Sequence, residues 1–276
     1  LRYGDAILLI RTIVAIIYIA IFLPALYFGN LPLTLVLMFI SAISALEFSR
    51  LAKFDGNGPL RALCVLGSLA FMLDAWLFDG IYSGAILTAV VVLACFSQVV
   101  SGSTYRSTEN ISSTVLGVIL CGWTFSRYYL IRSGFPDMAL AFMTVGIIWS
   151  DDVGAYIVGS LFGHRKLAPN ISPNKTVAGS IGGIAFAVVF VTAFKMVGDY
   201  LGYWTTLGWP LIIMCALALA VVGQLGDLAE SAIKREAKVK DSGNILPGHG
   251  GMLDRFDSFA MVAPVAYYIY LFLARL

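Results

Sequence analysis

An all-α, polytopic integral membrane protein with about nine transmembrane helices is the architecture this sequence predicts. Three observations predict it. Hydrophobic residues make up 59% and charged residues only 12% of the 276 positions, where a soluble domain averages roughly half and a quarter. The apolar residues fall in runs of about 20, long enough to cross the hydrocarbon core of a bilayer. The charged residues collect between those runs, above all from Gly223 to Asp257.

The first run extends from Ile7 to Phe28 and the second from Leu31 to Phe48, with Gly29-Asn30 as the turn between them. A polar loop, Ser49 to Pro59, leads to a third run from Leu60 to Phe78, and Asp79-Gly80 turns the chain into a fourth, Ile81 to Val100. The loop Ser101 to Asn110 precedes a fifth, Ile111 to Ile131. The remaining four run from Met138 to Phe162, Val177 to Val197, Leu207 to Leu228 and Phe256 to Leu273. The first run is too long for the core of a signal peptide. Residues 1–137, with the first five helices, carry little legible chemistry and are expected to be lipid-facing or dimerising. Residues 138–276 carry the polar motifs and are expected to form the catalytic region.

Basic residues are retained on the cytoplasmic side of a membrane. Twelve of the eighteen lysines and arginines follow even-numbered runs, which places the amino terminus outside and the Gly223–Asp257 stretch inside. In a bacterium the membrane would be the inner one. The net charge of +2 and the lack of a basic patch interleaved with aromatics exclude a nucleic-acid partner. Cys64, Cys95, Cys121 and Cys215 sit singly in apolar surroundings and read as small hydrophobes. Glu47 lies one turn from Arg50 and is expected to pair with it at the interface. Asp74 has no local partner and is expected to find one on another helix. Trp76, Trp123, Tyr203 and Trp204 read as interfacial anchors, and Lys195 and Asp199 as an exposed loop on the far side.

Two polar constellations stand out. On a helix, Asp227, Glu230, Ser231 and Lys234 fall at i, i+3, i+4 and i+7, so two carboxylates, a hydroxyl and an ammonium share one face. Asp254 and Asp257 repeat the i, i+3 spacing, and the glycine-rich Leu246–Gly251 stretch between the two acidic groups can approach a phosphate closely. Carboxylates near Lys234, Arg235, Lys240 and Arg255 suit a divalent cation holding phosphates, because hard oxygen ligands take the metal and cations balance the remaining charge. The second constellation opens with Asp151-Asp152, which must face protein or water inside an apolar run. It continues to Lys175 and to Thr176, placed to cap the next helix ahead of Gly179, Gly182 and Gly183. A helix start beside a lysine can hold phosphate. The small residues can equally be a helix-packing motif.

The residues Ser231-Ala-Ile-Lys234-Arg235, Lys240-Asp241, Gly243, Leu246-Pro247, His249-Gly250-Gly251-Met252 and Asp254-Arg255-Phe256-Asp257 resemble the signature of the phosphatidate cytidylyltransferases, the CDP-diacylglycerol synthases. Upstream, Asp152-x-Gly-Ala-Tyr156, Lys166-Leu-Ala-Pro169 and Ser172-Pro-x-Lys175-Thr176 resemble the pattern that accompanies it, with Val153 and Ala178 as departures. The resemblance implies condensation of CTP with phosphatidic acid to CDP-diacylglycerol and pyrophosphate. It implies magnesium as cofactor, with a second cation left open. Asp227 and Asp254 are then expected to hold the metal, with Asp257, Asp241 and Asp152 as further members of its shell. Lys175, Ser231 and Arg255 are expected at the reacting phosphates, and Lys234, Arg235, Lys240, Thr176, His249, Gly250 and Gly251 in substrate binding. A homodimer is compatible with the small-residue helix faces. The alternatives are a CTP-dependent polyprenol or phytol kinase, which would release CDP, and a transporter, which the absence of an internal repeat disfavours.

Overall fold

The computed structural model describes residues 3–52, 58–135, 137–202, 207–248 and 250–275, and the side chains among them except those of 3–11 and 58–59. Among these residues nine helices alternate in direction: α1 (Tyr3–Phe28), α2 (Asn30–Leu51), α3 (Gly58–Phe78), α4 (Ser83–Val100), α5 (Ser107–Gly134), α6 (Ala139–Phe162), α7 (Val177–Leu201), α8 (Trp209–Glu236) and α9 (Leu253–Leu273). The eight from α2 to α9 are long and apolar enough to cross a membrane, and α1 adds the apolar stretch Thr12–Phe28. The helices α8 and α9 reach further than the apolar runs that predict them. Past Leu228, α8 continues through Ala229, Glu230, Ala232, Lys234 and Glu236, all strong helix formers that sustain the helix after the apolar run has ended.

The tight turns rest on backbone conformations that glycine permits. Gly29, with φ of +63°, reverses the chain between α1 and α2. Arg132 of α5 then donates to the terminal carbonyls of α1 at Leu26 and Tyr27, both at 2.8 Å, satisfying acceptors that a helix end leaves free. Between α3 and α4, Asp74 accepts from the Tyr82 N–H at 2.9 Å and from the Ser83 hydroxyl at 2.8 Å. Arg127 of α5 donates to the same hydroxyl, so the partner expected for Asp74 is the start of α4, with α5 behind it.

Midway along α5 the residues Ile119–Trp123 form a π-helical turn. The Cys121 carbonyl at this turn accepts from Ser41 of α2, and a Cβ on Gly122 would fall on the Ser68 backbone of α3. The turn therefore widens the helix where three helices touch, which is a common cause of a local distortion. The main core is aromatic. Phe22, Phe125, Tyr128, Phe256 and Phe259 are buried together, with Tyr128 and Phe259 rings 4.4 Å apart.

Helices α6 and α7 pack backbone to backbone. A Cβ on Gly179 would lie 2.8 Å from the Ala155 carbonyl, and one on Gly154 at 2.8 Å from that of Gly182, the close approach that small residues allow inside a membrane. Between these helices the chain forms an antiparallel hairpin, β1 (Lys166–Ala168) and β2 (Ser172–Thr176), where the sequence predicts only a loop. Pro173 fits it because a two-stranded sheet is all edge and leaves room for a residue without an N–H. Lys195 and Asp199 also differ from expectation. They lie within α7, pair at 2.6 Å, and Lys195 is buried over the Trp209 ring. Tyr203 and Trp204 fall outside the described residues.

Candidate active site

The ends of α2, α6 and α8 and the start of α7 and α9 lie at one end of the bundle, and the polar residues of both constellations meet there. The hairpin is tied down by the end of α8, where Arg235 donates to the Ile171 carbonyl at 3.2 Å. It thereby presents Lys175 to α8, and the Lys175 ammonium pairs with the Asp227 carboxylate. Asp227 also accepts from Ser231, one turn on, at 3.3 Å. Thr176 caps α7 by accepting from the Gly179 N–H at 3.1 Å, as its place before the glycines predicts.

Lys175, Thr176, Gly179 and Asp227 line a cavity of ≈ 490 Å³ with Asp151, Asp152, Tyr156, Asn174, Gln224 and Ser258. Asp151 is buried, and its carboxylate accepts from Gln224 Nε2 at 2.8 Å. Gln224 in turn donates to the Ser180 carbonyl at 3.0 Å and accepts from the Ser180 hydroxyl. Asp152 is exposed, with Asp227, Lys175 and Arg255 among its charged neighbours. Asp257 reaches the same cluster from α9, its charged neighbours including Asp227, Glu230 and Asp152.

One turn away, Asp254 holds the glycine-rich loop. Its Oδ2 accepts from the Gly251 N–H at 2.7 Å and the Ser242 N–H at 2.9 Å, while its Oδ1 accepts from Lys234 Nζ at 2.7 Å. Lys234 also pairs with Glu230, and the three side chains are buried. Neither Glu230 oxygen has a hydrogen-bond partner beyond that charge contact. Gly248 and Gly250, with φ of +74° and +86°, make the turn that the Leu246 N–H closes onto the Gly250 carbonyl at 3.0 Å. The loop's inner face rests on Glu47 of α2, only 2% exposed. Glu47 accepts from the Met252 N–H at 3.0 Å, the Leu253 N–H at 2.8 Å and the Ser242 hydroxyl at 3.0 Å. Its pairing with Arg50 does not occur among the described residues; Arg50 is exposed.

The structure thus sets Lys175, Asp227 and Asp152 on the wall of one cavity, with Ser231 hydrogen-bonded to Asp227 and Asp257 a charged neighbour of Asp227 and Asp152. It gathers Lys234, Asp254, Gly250 and Gly251 around the adjoining loop. Lys240, Asp241 and Arg255 are exposed, with Asp241 beside Gly250 and Arg255 among the charged neighbours of Asp152. Arg235 is spent on the Ile171 and Val239 carbonyls. His249 lies outside the described residues. Sequence reasoning passes over Gln224 and Ser242, because a lone amide in an apolar run and a serine in a loop carry no spacing signal. For Glu47 the signal is its charge in an apolar run, and only the partner is misread.

Among the described residues no three acids converge closely enough to chelate a cation together. The donor chemistry nevertheless suits a hard divalent ion, since carboxylate oxygens predominate. At Asp227 and at Asp254 a lysine ammonium now supplies the positive charge.

A model of the cytidylyltransferase family matches residues 9–273. The phosphatidate cytidylyltransferase of Bacillus subtilis (strain 168) is 36% identical over 271 residues, covering 94% of this chain and 96% of its own length. That of Staphylococcus epidermidis (strain ATCC 12228 / FDA PCI 1200) is 37% identical over 262 residues, covering 93% and 96%. That of Staphylococcus aureus (strain COL) is 36% identical over 262 residues, with the same coverage. With a match running almost end to end, and relatives this similar across the whole chain, the protein belongs to the cytidylyltransferase family.

Proposed function

We propose that this membrane enzyme transfers the cytidylyl group of CTP to phosphatidate, forming CDP-diacylglycerol and releasing pyrophosphate. The observation that carries the reading is the meeting of the two polar constellations at one cavity, where the Lys175–Asp227 pair joins the hairpin to α8 at the end of an apolar bundle. A lipid phosphate and a soluble nucleotide can both reach such a place.

In the reaction an oxygen of the lipid phosphate attacks the α-phosphorus of CTP. The bond from that phosphorus to the β-phosphate oxygen breaks, and its electron pair leaves with pyrophosphate. The nucleophile is a phosphate already largely ionised near neutral pH, so the protein need not supply a strong base. It must align two anions that repel each other and stabilise charge on the leaving group. Lys175 on the cavity wall and Arg255 near Asp152 are the cations assigned to the phosphates, with the exposed Lys240 as a third. Lys234 holds the loop through Asp254 and Glu230. Ser231 keeps the Asp227 carboxylate oriented.

Asp227 and Asp152 on the cavity wall would hold a divalent cation such as magnesium, with Asp257 behind them, while Asp254, its oxygens taken by Lys234, Ser242 and Gly251, and Asp241 would stand outside. When bound, the cation supplies neutralisation of the triphosphate. The site faces the cytoplasm in this reading, which the distribution of lysine and arginine supports and the solubility of CTP requires.

The test is mass spectrometry of products after purified protein in liposomes is given CTP, magnesium and phosphatidic acid. CDP-diacylglycerol with stoichiometric pyrophosphate is expected. Release of CDP would make the protein a kinase, and absence of nucleotide turnover would remove the reading.

A further inference from the structure

The glycine-rich loop and the helix behind it are held by a residue far from them in the chain. Helix α9 begins at Leu253 and delivers Asp254, Arg255 and Asp257 to the site. A helix start leaves its first N–H groups without partners, and α9 has no side chain of its own at the capping position to satisfy them. Glu47 of α2 does this instead, receiving the Met252 and Leu253 N–H groups on separate oxygens at 3.0 and 2.8 Å. A carboxylate is also the favourable charge at the positive end of a helix dipole.

The same carboxylate fixes the loop. Ser242 donates its hydroxyl to Glu47 at 3.0 Å while its backbone N–H goes to Asp254 at 2.9 Å. One residue thus ties the α2 acid to the α9 acid. Two glycines of the signature follow from this contact. A Cβ on Gly243 would fall on the Glu47 carboxylate, and one on Gly251 would fall on Glu47 Oε2 and the Ser242 hydroxyl. They are small because an acid from another helix fills the space beside them.

We propose that Glu47 is a positioning residue for cytidylyl transfer: as a cap supplied by α2, it sets the start of α9 and the inner face of the glycine-rich loop. It does not touch substrate. Glutamine has nearly the same volume but only one accepting oxygen, so Glu47→Gln leaves either Met252 or Leu253 unpaired and lets the first turn of α9 shift. The inference rests on the transferase reading, and the parental protein, assayed alongside, tests that reading separately.

Steady-state kinetics of Glu47→Gln in liposomes should show kcat lowered by about 10- to 100-fold, the cost of misplacing catalytic groups by around 1 Å. The KM for CTP should stay within about twofold, as for a lost alignment and not a lost binding contact. Hydrogen exchange should show the Met252 and Leu253 amides opening about tenfold faster, with amides of the buried Phe125–Ile131 segment unchanged. Glu47→Asp, too short to reach both amides, should behave the same way and serves if the glutamine variant does not fold. Parental kcat in either folded variant would overturn the proposal. So would a loss of activity that tracks a uniform rise in exchange across the protein, since Glu47 would then be only a stability determinant. If the parental protein forms no CDP-diacylglycerol the transferase reading fails, and the exchange result still decides whether Glu47 caps α9.

Discussion

Lys175 shows how a residue can matter little for stability and much for activity. Its side chain and that of Asp227 are 26% and 29% exposed, and a pair this open contributes about 0–1 kcal/mol to folding. Charge placed where a phosphate is transferred is worth far more, about 100-fold in rate or above for one lost stabilising group. Lys175→Met should therefore unfold within a few degrees of the parental protein in detergent while losing most cytidylyl transfer. Loss of fold together with activity would instead make the pair structural. Gln224 makes a different point about legibility. The sequence places Asp151 and Asp152 in an apolar run and demands partners for them, but nothing in spacing names the partner, because Gln224 sits 73 residues away on α8. Local patterns report i, i+3 and i+4 neighbours; contacts between helices are outside their reach.

The same limit explains which elements were readable. Turns set by Gly29 and by Asp79-Gly80, and the cap at Thr176, rest on local chemistry and are visible in the sequence. The π-turn at Ile119–Trp123 is not, since it answers to Ser41 on α2 and Ser68 on α3. The hairpin between α6 and α7 escapes notice because Pro173 argues against a strand. Helix packing between α6 and α7 is legible as small residues, and its consequence can be measured. A Cβ on Gly182 would fall on the Val158 side chain, whereas one on Gly84 meets nothing within 4 Å. Gly182→Ala should lower stability by about 1–3 kcal/mol through overpacking. Gly84→Ala should leave it unchanged or raise it by up to about 1 kcal/mol, because alanine is the better helix former. Thermal unfolding of the two variants in one detergent compares them, and equal effects would contradict the packing described.

Across the molecule, burial separates the face toward lipid from the protein interior. Helix α4 carries exposed Val91, Val92, Leu93, Phe96 and Val99, and its Cys95 is exposed while Cys64, Cys121 and Cys215 are buried. An apolar maleimide added to proteoliposomes should modify Cys95 and leave the other three intact until the protein is unfolded, as peptide mass spectrometry would register. Modification of Cys64 or Cys121 in the folded state would contradict the packing of α2, α3 and α5. The number of helices and their class were legible because a bilayer imposes length and polarity on each span separately. The assembly of the site was legible only in part, since helices distant in sequence build it.

Glu47 precedes Leu253 by 206 residues, which bears on how the protein is made. During synthesis α2 enters the bilayer long before the ribosome has produced the amides that its acid will receive. For most of that interval the nascent chain carries an unmatched carboxylate near the membrane surface, an arrangement that costs free energy until the last helix arrives. A product cut short before α9 would keep that defect, giving quality-control proteases a ready mark of incompleteness.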